Sequence, residues 1–283
     1  MRRDVLVVCT ELLNTDWYAR QMVRRPVYPY DAAAGPALYR NRTWPKPSGP
    51  PVKLTAAEVD AIPPAVAIEG PQTFQKIVGA DTLRITPTLP QLLKGDLLVL
   101  YLIRDAWPAR PLYISRSTGT YDRQLGLQPY LLTQGLARKL VRTPPVPGRD
   151  TVVVQGEGFV DLATSLALWN TFEGPRALIA RGDWVDMPSV NTPNLYTITG
   201  LVLAEALDGT GRPEAARRVY ATAEQIAAAT HQTQAFGFDQ RPPLGTRPAP
   251  AGTADGPVPG LVAPDSGTAP RAGGGARDPA ALP

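Results

Sequence analysis

"DVLVVCTELLNTDWYARQMVRR", Asp4 to Arg25, decides how the rest of this chain is read. Its opening, Val5 to Cys9, is a short and continuous β-branched run, the pattern of a strand covered on both faces within a parallel sheet. Asn14, Thr15 and Asp16 then offer N-cap side chains for a helix through "WYARQMVRR", which Pro26 ends. The pattern predicts a strand, a tight turn and a helix. Such a strand needs partners on both faces and both edges. The expectation is therefore an apolar edge left exposed beside Val5 to Cys9 when the chain is alone.

The turn itself is polar and aromatic, and Asn14, Asp16, Trp17, Tyr18 and Arg20 are the candidate ligand-binding residues. At the carboxyl end of a parallel strand such a turn is where α/β sheets bind ligands, and the helix N-terminus behind it favours an anion. The competing explanation is local: Asn14 or Asp16 caps the helix while Trp17 and Tyr18 pack. Further aromatics (Tyr28, Tyr30, Tyr39, Trp44) lie among Arg24, Arg25, Arg40 and Arg42. That mixture suits stacking on sugars, contact with phosphate or residence at a membrane interface, and it also suits ordinary loop packing.

Working outward, "LTAAEVDAI" predicts a short helix introduced by Thr55, and "PQTFQKIV" with "TLRITPT" predicts two strands joined through Gly79 to Asp81. "GDLLVLYLIRDAW" is apolar on nearly all sides and reads as a core helix, or alternatively a strand. "RPLYISRS", "LARKLVRTP" and "DTVVVQG" read as strands. From Asp161 the period lengthens to that of helices. "DLATSLALWNTF" is a capped helix, and "TPNLYTITGLVLAEALDGTG" with "RPEAARRVYATAEQIAAAT" forms a pair hinged at Asp208 to Gly211, with Pro213 in a first turn. Leu203, Ala204, Leu207, Ala216, Tyr220 and Ala223 have the spacing of one tetratricopeptide-type hairpin. The expected class is α/β followed by α-helical, with a partial parallel or mixed sheet. The expected divisions are an α/β region over 1–155 incomplete on its N-terminal side, a helical region over 156–235 and a disordered Pro/Gly/Ala-rich tail over 236–283.

Composition excludes several classes of function. The 283 residues carry a net charge of +4, with the basic residues dispersed, which does not suit a nucleic-acid partner. A single cysteine, Cys9, excludes an internal disulfide and a Cys-rich zinc site. The single histidine, His231, lacks a nucleophile motif, and no phosphate-cradling glycine loop occurs. Acidic pairs such as Glu157 with Asp161, or Asp183 with Asp186, have spacings equally suited to caps and turns. No catalytic residue, metal site or cofactor is assigned. No apolar window is long enough for a bilayer span, and "MRRD" does not begin a secretory signal, so the chain made alone is expected in the cytoplasm.

Three stretches in order, "RRDVLVVCTELLNTDWYARQMVRRPVYPYD", "LLVLYLIRDAWPARPLYIS" and "LGLQPYLLTQGLARKLV", resemble the soluble region that follows the membrane helices in bacterial protein O-mannosyltransferase-like proteins, the group related to the transmembrane-protein-260 enzymes. The resemblance runs from about Arg3 to about Thr230. It implies a polytopic membrane glycosyltransferase that moves a sugar from a polyprenyl phosphate to a Ser or Thr hydroxyl on the extracytoplasmic side. In that family a Gly-Asp-x-Asp-Thr stretch precedes the segment aligned with Val5 to Cys9; neither it nor the membrane helices occur here. The implied role is a non-catalytic, acceptor-facing or regulatory region. Its partners would be the membrane-embedded part, or a chain completing the sheet, together with a polyprenyl-linked sugar or acceptor protein. Two other readings stand beside it: a self-sufficient α/β sugar-phosphate-binding protein or enzyme using the Asn14–Arg20 turn, and an interaction module working through the helical hairpin.

Overall fold

The computed structural model describes residues 4–31, 46–70, 74–78, 81–107, 109–183, 186 and 189–240. The turn expected at Gly79 to Asp81 falls partly outside them, and the tail from 241 lies wholly outside. The class is α/β, built on a mixed sheet.

After a 3-10 turn over Glu11–Asn14, helix α1 (Asp16–Arg24) buries Ala19 and Met22, three residues apart on one face. Helix α2 (Ala56–Ala61) is held by a reciprocal cap in which the Glu58 amide donates to Thr55 Oγ1 and Glu58 Oε2 accepts from the Thr55 amide. Two small antiparallel pairs follow, β1 (Ala65–Ala67) with β4 (Gln91–Leu93), and β2 (Phe74–Val78) with β3 (Asp81–Ile85). The "GDLLVLYLIRDAW" run is the helix and not the strand: α3 (Lys94–Ala106) buries Leu98, Val99 and Ile103 against Leu13, Met22 and Leu92 in the first core.

The five-stranded sheet is made from β5 (Tyr113–Ser115), β6 (Leu131–Gln134), β7 (Ala137–Leu140), β8 (Thr151–Val154) and β9 (Gly158–Asp161), in the order β5-β7-β6-β9-β8. Among the described residues its one parallel pair is β6 with β9, and its other pairs are antiparallel. Between β5 and β6 lies the short helix α4 (Tyr121–Gln124). Gly126 behind it has φ +74°, and a Cβ there would lie 2.6 Å from the Thr86 carbonyl oxygen, so only glycine fits.

Sheet passes into helix through Asp161. Its Oδ1 caps α5 (Leu162–Thr171) by accepting from the Thr164 amide, and its Oδ2 accepts from the Gln134 side chain on β6. Helices α6 (Gly174–Arg181), α7 (Asn191–Gly209) and α8 (Pro213–Ala229) complete the second core around Trp169, Leu203, Leu207 and Ile226. Helices α7 and α8 pack as an antiparallel pair, close enough that a Cβ on Gly200 would lie 2.8 Å from that of Ala223.

Three expectations are corrected. Val5 to Cys9 belongs to no strand among the described residues: its β-branched character suits a sheet, but no neighbouring segment offers it a ladder. The boundary at 155 cuts the sheet, because β8 and β9 are one hairpin through residues 155–157. Residues 236–240 are also not tail, since Phe238 is buried against Ala223 and Ala227.

The sheet, α4 and the β8–β9 turn are joined by four buried charges. Arg116 donates to Glu157 at 2.8 Å, and Arg138 donates to both Asp122 (2.8 Å) and Glu157 (3.3 Å). Thr133 on β6 adds a hydroxyl donor to Glu157. Burial pulls the Arg116 guanidinium below its ordinary pKa against the opposing pull of Glu157. Removing one member leaves a charge without its partner in a dry site. Glu157→Ala should therefore destabilise the chain by about 3–5 kcal/mol in urea unfolding. Glu214→Ala, at an exposed pair with Arg217, should cost about 0–1 kcal/mol.

Candidate functional site

The first turn of α3 presents amide groups that its own helix cannot satisfy. Two of the acceptors come from other segments and one from α3 itself. Asn14 Oδ1 accepts from the Gly95 amide at 2.9 Å, the Pro64 carbonyl accepts from Lys94 at 3.0 Å, and Asp96 Oδ2 accepts from Leu93 at 2.7 Å. Gly95 is what lets Asn14 come so near: a Cβ there would lie 2.8 Å from Asn14 Oδ1. Tyr121 binds the other oxygen of Asp96 at 2.9 Å, and burial, then the Asp96 charge, push its phenol above the usual range.

Where the α1 turn, the end of α2 and the start of α3 meet there is a cleft of about 500 Å³, lined by Asn14, Asp16, Asp60, Ile62, Pro64, Leu93 and Lys94. Lys94 is almost wholly buried, with 7% of its side chain exposed, and donates to Asp16 Oδ1 at 2.8 Å. That hydrogen bond, reinforced by the Lys94 charge, holds the Asp16 carboxyl below the usual range. On the adjoining rim Arg20 donates to Asp60 at 2.7 Å, and this bond raises the Arg20 guanidinium above its ordinary value.

The five sequence candidates therefore divide. Asn14 and Asp16 line the cleft and Arg20 flanks it through Asp60, one helical turn beyond Asp16. Trp17 and Tyr18 are not among the lining residues. The Tyr18 hydroxyl accepts from the Cys9 amide at 3.0 Å, and Trp17 stacks on Tyr18 with ring centroids 5.5 Å apart while remaining 63% exposed. The local explanation holds for Tyr18, which packs on the first core, but not for the cap. The cap on α1 is Thr15 without a side-chain bond, and Asn14 caps α3 instead, 81 residues away. The site also does not stand at the carboxyl end of a parallel strand.

Lys94 and Asp60 were missed. The "KGD" at 94–96 held the signal, a glycine where a close approach was needed, but nothing local marks Asp60 or pairs Lys94 with Asp16. Among the described residues no cluster of His, Cys, Asp and Glu is arranged to hold a metal. Comparison with family models, with curated proteins and with solved structures returns no match.

Two outcomes follow from this geometry. Asn14→Ala should cost about 1 kcal/mol in unfolding free energy, and Gly95→Ala a similar amount. The double variant should cost less than their sum, because both break one contact. The Asp16–Lys94 pair should be pH-dependent in one direction. A carboxyl depressed in the folded state stabilises above its unfolded pKa and loses that contribution as pH falls through the folded value. The stability gap between wild type and Asp16→Asn should therefore be widest near neutral pH and close in acid, as read by urea unfolding at a series of pH values. An NMR titration should place the Asp16 midpoint higher in Lys94→Met.

Proposed function

We propose that this chain is a non-catalytic, extramembrane region of a protein O-mannosyltransferase-like membrane glycosyltransferase, working at the extracytoplasmic face in acceptor contact or regulation. The observation that carries the reading is the state of Val5 to Cys9. Val5 is 51% and Val7 79% exposed, while Leu6 and Val8 turn inward and Val8 packs on the first core. The alternation is that of a strand seated on one side only. The segment is held in place by its ends: the Cys9 amide bonds Tyr18, Asp4 accepts from the Asp31 amide, and Arg110 donates to the Asp4 and Tyr28 carbonyls. Leu12 and Trp17 add exposed apolar surface in the turn that follows.

An anchored row of exposed valines is a surface made to be covered. The order of the three resembling stretches supports the membrane-embedded part of the same enzyme as its cover. In this reading the α7–α8 pair is a single tetratricopeptide-like hairpin serving as an end cap to the α/β part. Among the described residues no helix is long and apolar enough to cross a bilayer.

A photo-crosslinking amino acid at Val7, with the chain expressed in its own host, tests the reading. The expected result is a light-dependent adduct with a polytopic membrane polypeptide, absent when the probe replaces exposed Glu224 on α8. A chain that gives no adduct from position 7, and whose Val5 to Cys9 amides exchange slowly while it is a monomer, would overturn it.

A further inference from the structure

We infer that the cleft between Asn14, Asp60 and Lys94 is a binding site for a neutral saccharide, and not for a phosphate or sugar phosphate. The charges argue for this first. Asp16 and Asp60 are answered by Lys94 and Arg20, so the cleft and its rim sum to no net charge. The usual source of anion affinity, the free amides of a helix N-terminus, is reduced here, because the amides of Leu93, Lys94 and Gly95 already have acceptors within the chain. A phosphate would meet two carboxylates and no open amide among those three.

The unused hydrogen-bonding capacity points the same way. With Oδ1 of Asn14 committed to Gly95, its amide NH₂ remains as a donor. Among the described residues the second oxygens of Asp16 and Asp60 remain as acceptors, and the Lys94 ammonium, held by one carboxylate, has two further N–H groups. Paired donors and acceptors of this kind match hydroxyl groups, which both give and accept. Ile62, Pro64 and Leu93 add apolar lining to the same cleft, suited to the C–H face of a pyranose ring. The volume of about 500 Å³ falls in the range of small-molecule sites, roughly 300–1,000 Å³. No aromatic ring lines the cleft, so the expected dissociation constant for a single sugar is about 1–10 mM.

This inference stands apart from the extramembrane reading: a chain that captures no membrane partner through Val7 could still bind a sugar, and the converse holds. Saturation-transfer NMR on the full chain with methyl α-glucopyranoside, methyl α-mannopyranoside and methyl β-galactopyranoside tests it, with inorganic phosphate and glucose 1-phosphate as competitors. Supporting the site would be transfer to at least one glycoside, a loss of about fivefold or more in both Asp16→Ala and Asp60→Ala with unchanged circular dichroism, and no displacement by phosphate. Asp60→Ala leaves the buried Lys94–Asp16 pair intact, so it separates loss of the site from the stability cost of unpairing Lys94 in Asp16→Ala. Silence from all three glycosides, signals indifferent to both substitutions, or displacement by millimolar phosphate would each overturn it.

Discussion

The first turn of α3 is the constraint around which the N-terminal half is arranged. A helix that starts inside a protein must find acceptors for its leading amides, since an unmet buried N–H costs about as much as a lost hydrogen bond. Residues near α3 in sequence supply only part of that need, through Asp96. The remainder comes from Asn14 and Pro64, which means that α1 and the segment after α2 cannot be placed independently of α3. The cleft is a by-product of this arrangement: three segments converge on one helix end, and the side chains next to the contacts, Asp16, Asp60 and Lys94, are left facing one another.

The other half is organised by a different constraint, the buried charges around Glu157. Two arginines and two carboxylates lie under the sheet at its β8–β9 turn, each with an opposite partner. A neutral, fully paired group of this kind adds little net stability over an apolar core, but it penalises any arrangement that separates its members. It ties the turn after β5, α4, β7 and the β8–β9 turn together, and Asp161 extends the same logic into α5 by bonding sheet and helix at once. The helical end therefore continues the sheet, and the boundary expected at 155 falls through the β8–β9 hairpin.

What the sequence made legible was local, and what it concealed was contact between distant segments. The Thr55–Glu58 cap, the Asp161 cap, the Pro213 start and the glycine hinge before it are all decided within a few residues, and each is where the pattern placed it. The apolar girth of 97–103 correctly favoured a helix over a strand. Val5 to Cys9 misled because β-branched residues report suitability for a sheet and say nothing of whether neighbours arrive to form one. Asn14 misled in the same way. Its chemistry marked it as a cap, but the helix in need of that cap lay 81 residues further on.

The Asn14–Arg20 turn was expected to act as one unit, and helix geometry explains why it cannot. Successive residues of α1 point about 100° apart, so Asp16 and Arg20 share the face towards α2 and α3 while Trp17 and Tyr18 turn away from it. On their side Tyr18 fastens the end of the extended segment through the Cys9 amide, and Trp17, exposed like Val5 and Val7, stacks on Tyr18. One turn thus serves two surfaces of opposite character, a charge-balanced polar cleft and an exposed apolar row. Helix α1 carries both surfaces, and the Asn14–Gly95 contact ties the turn at its start to α3 beside the cleft.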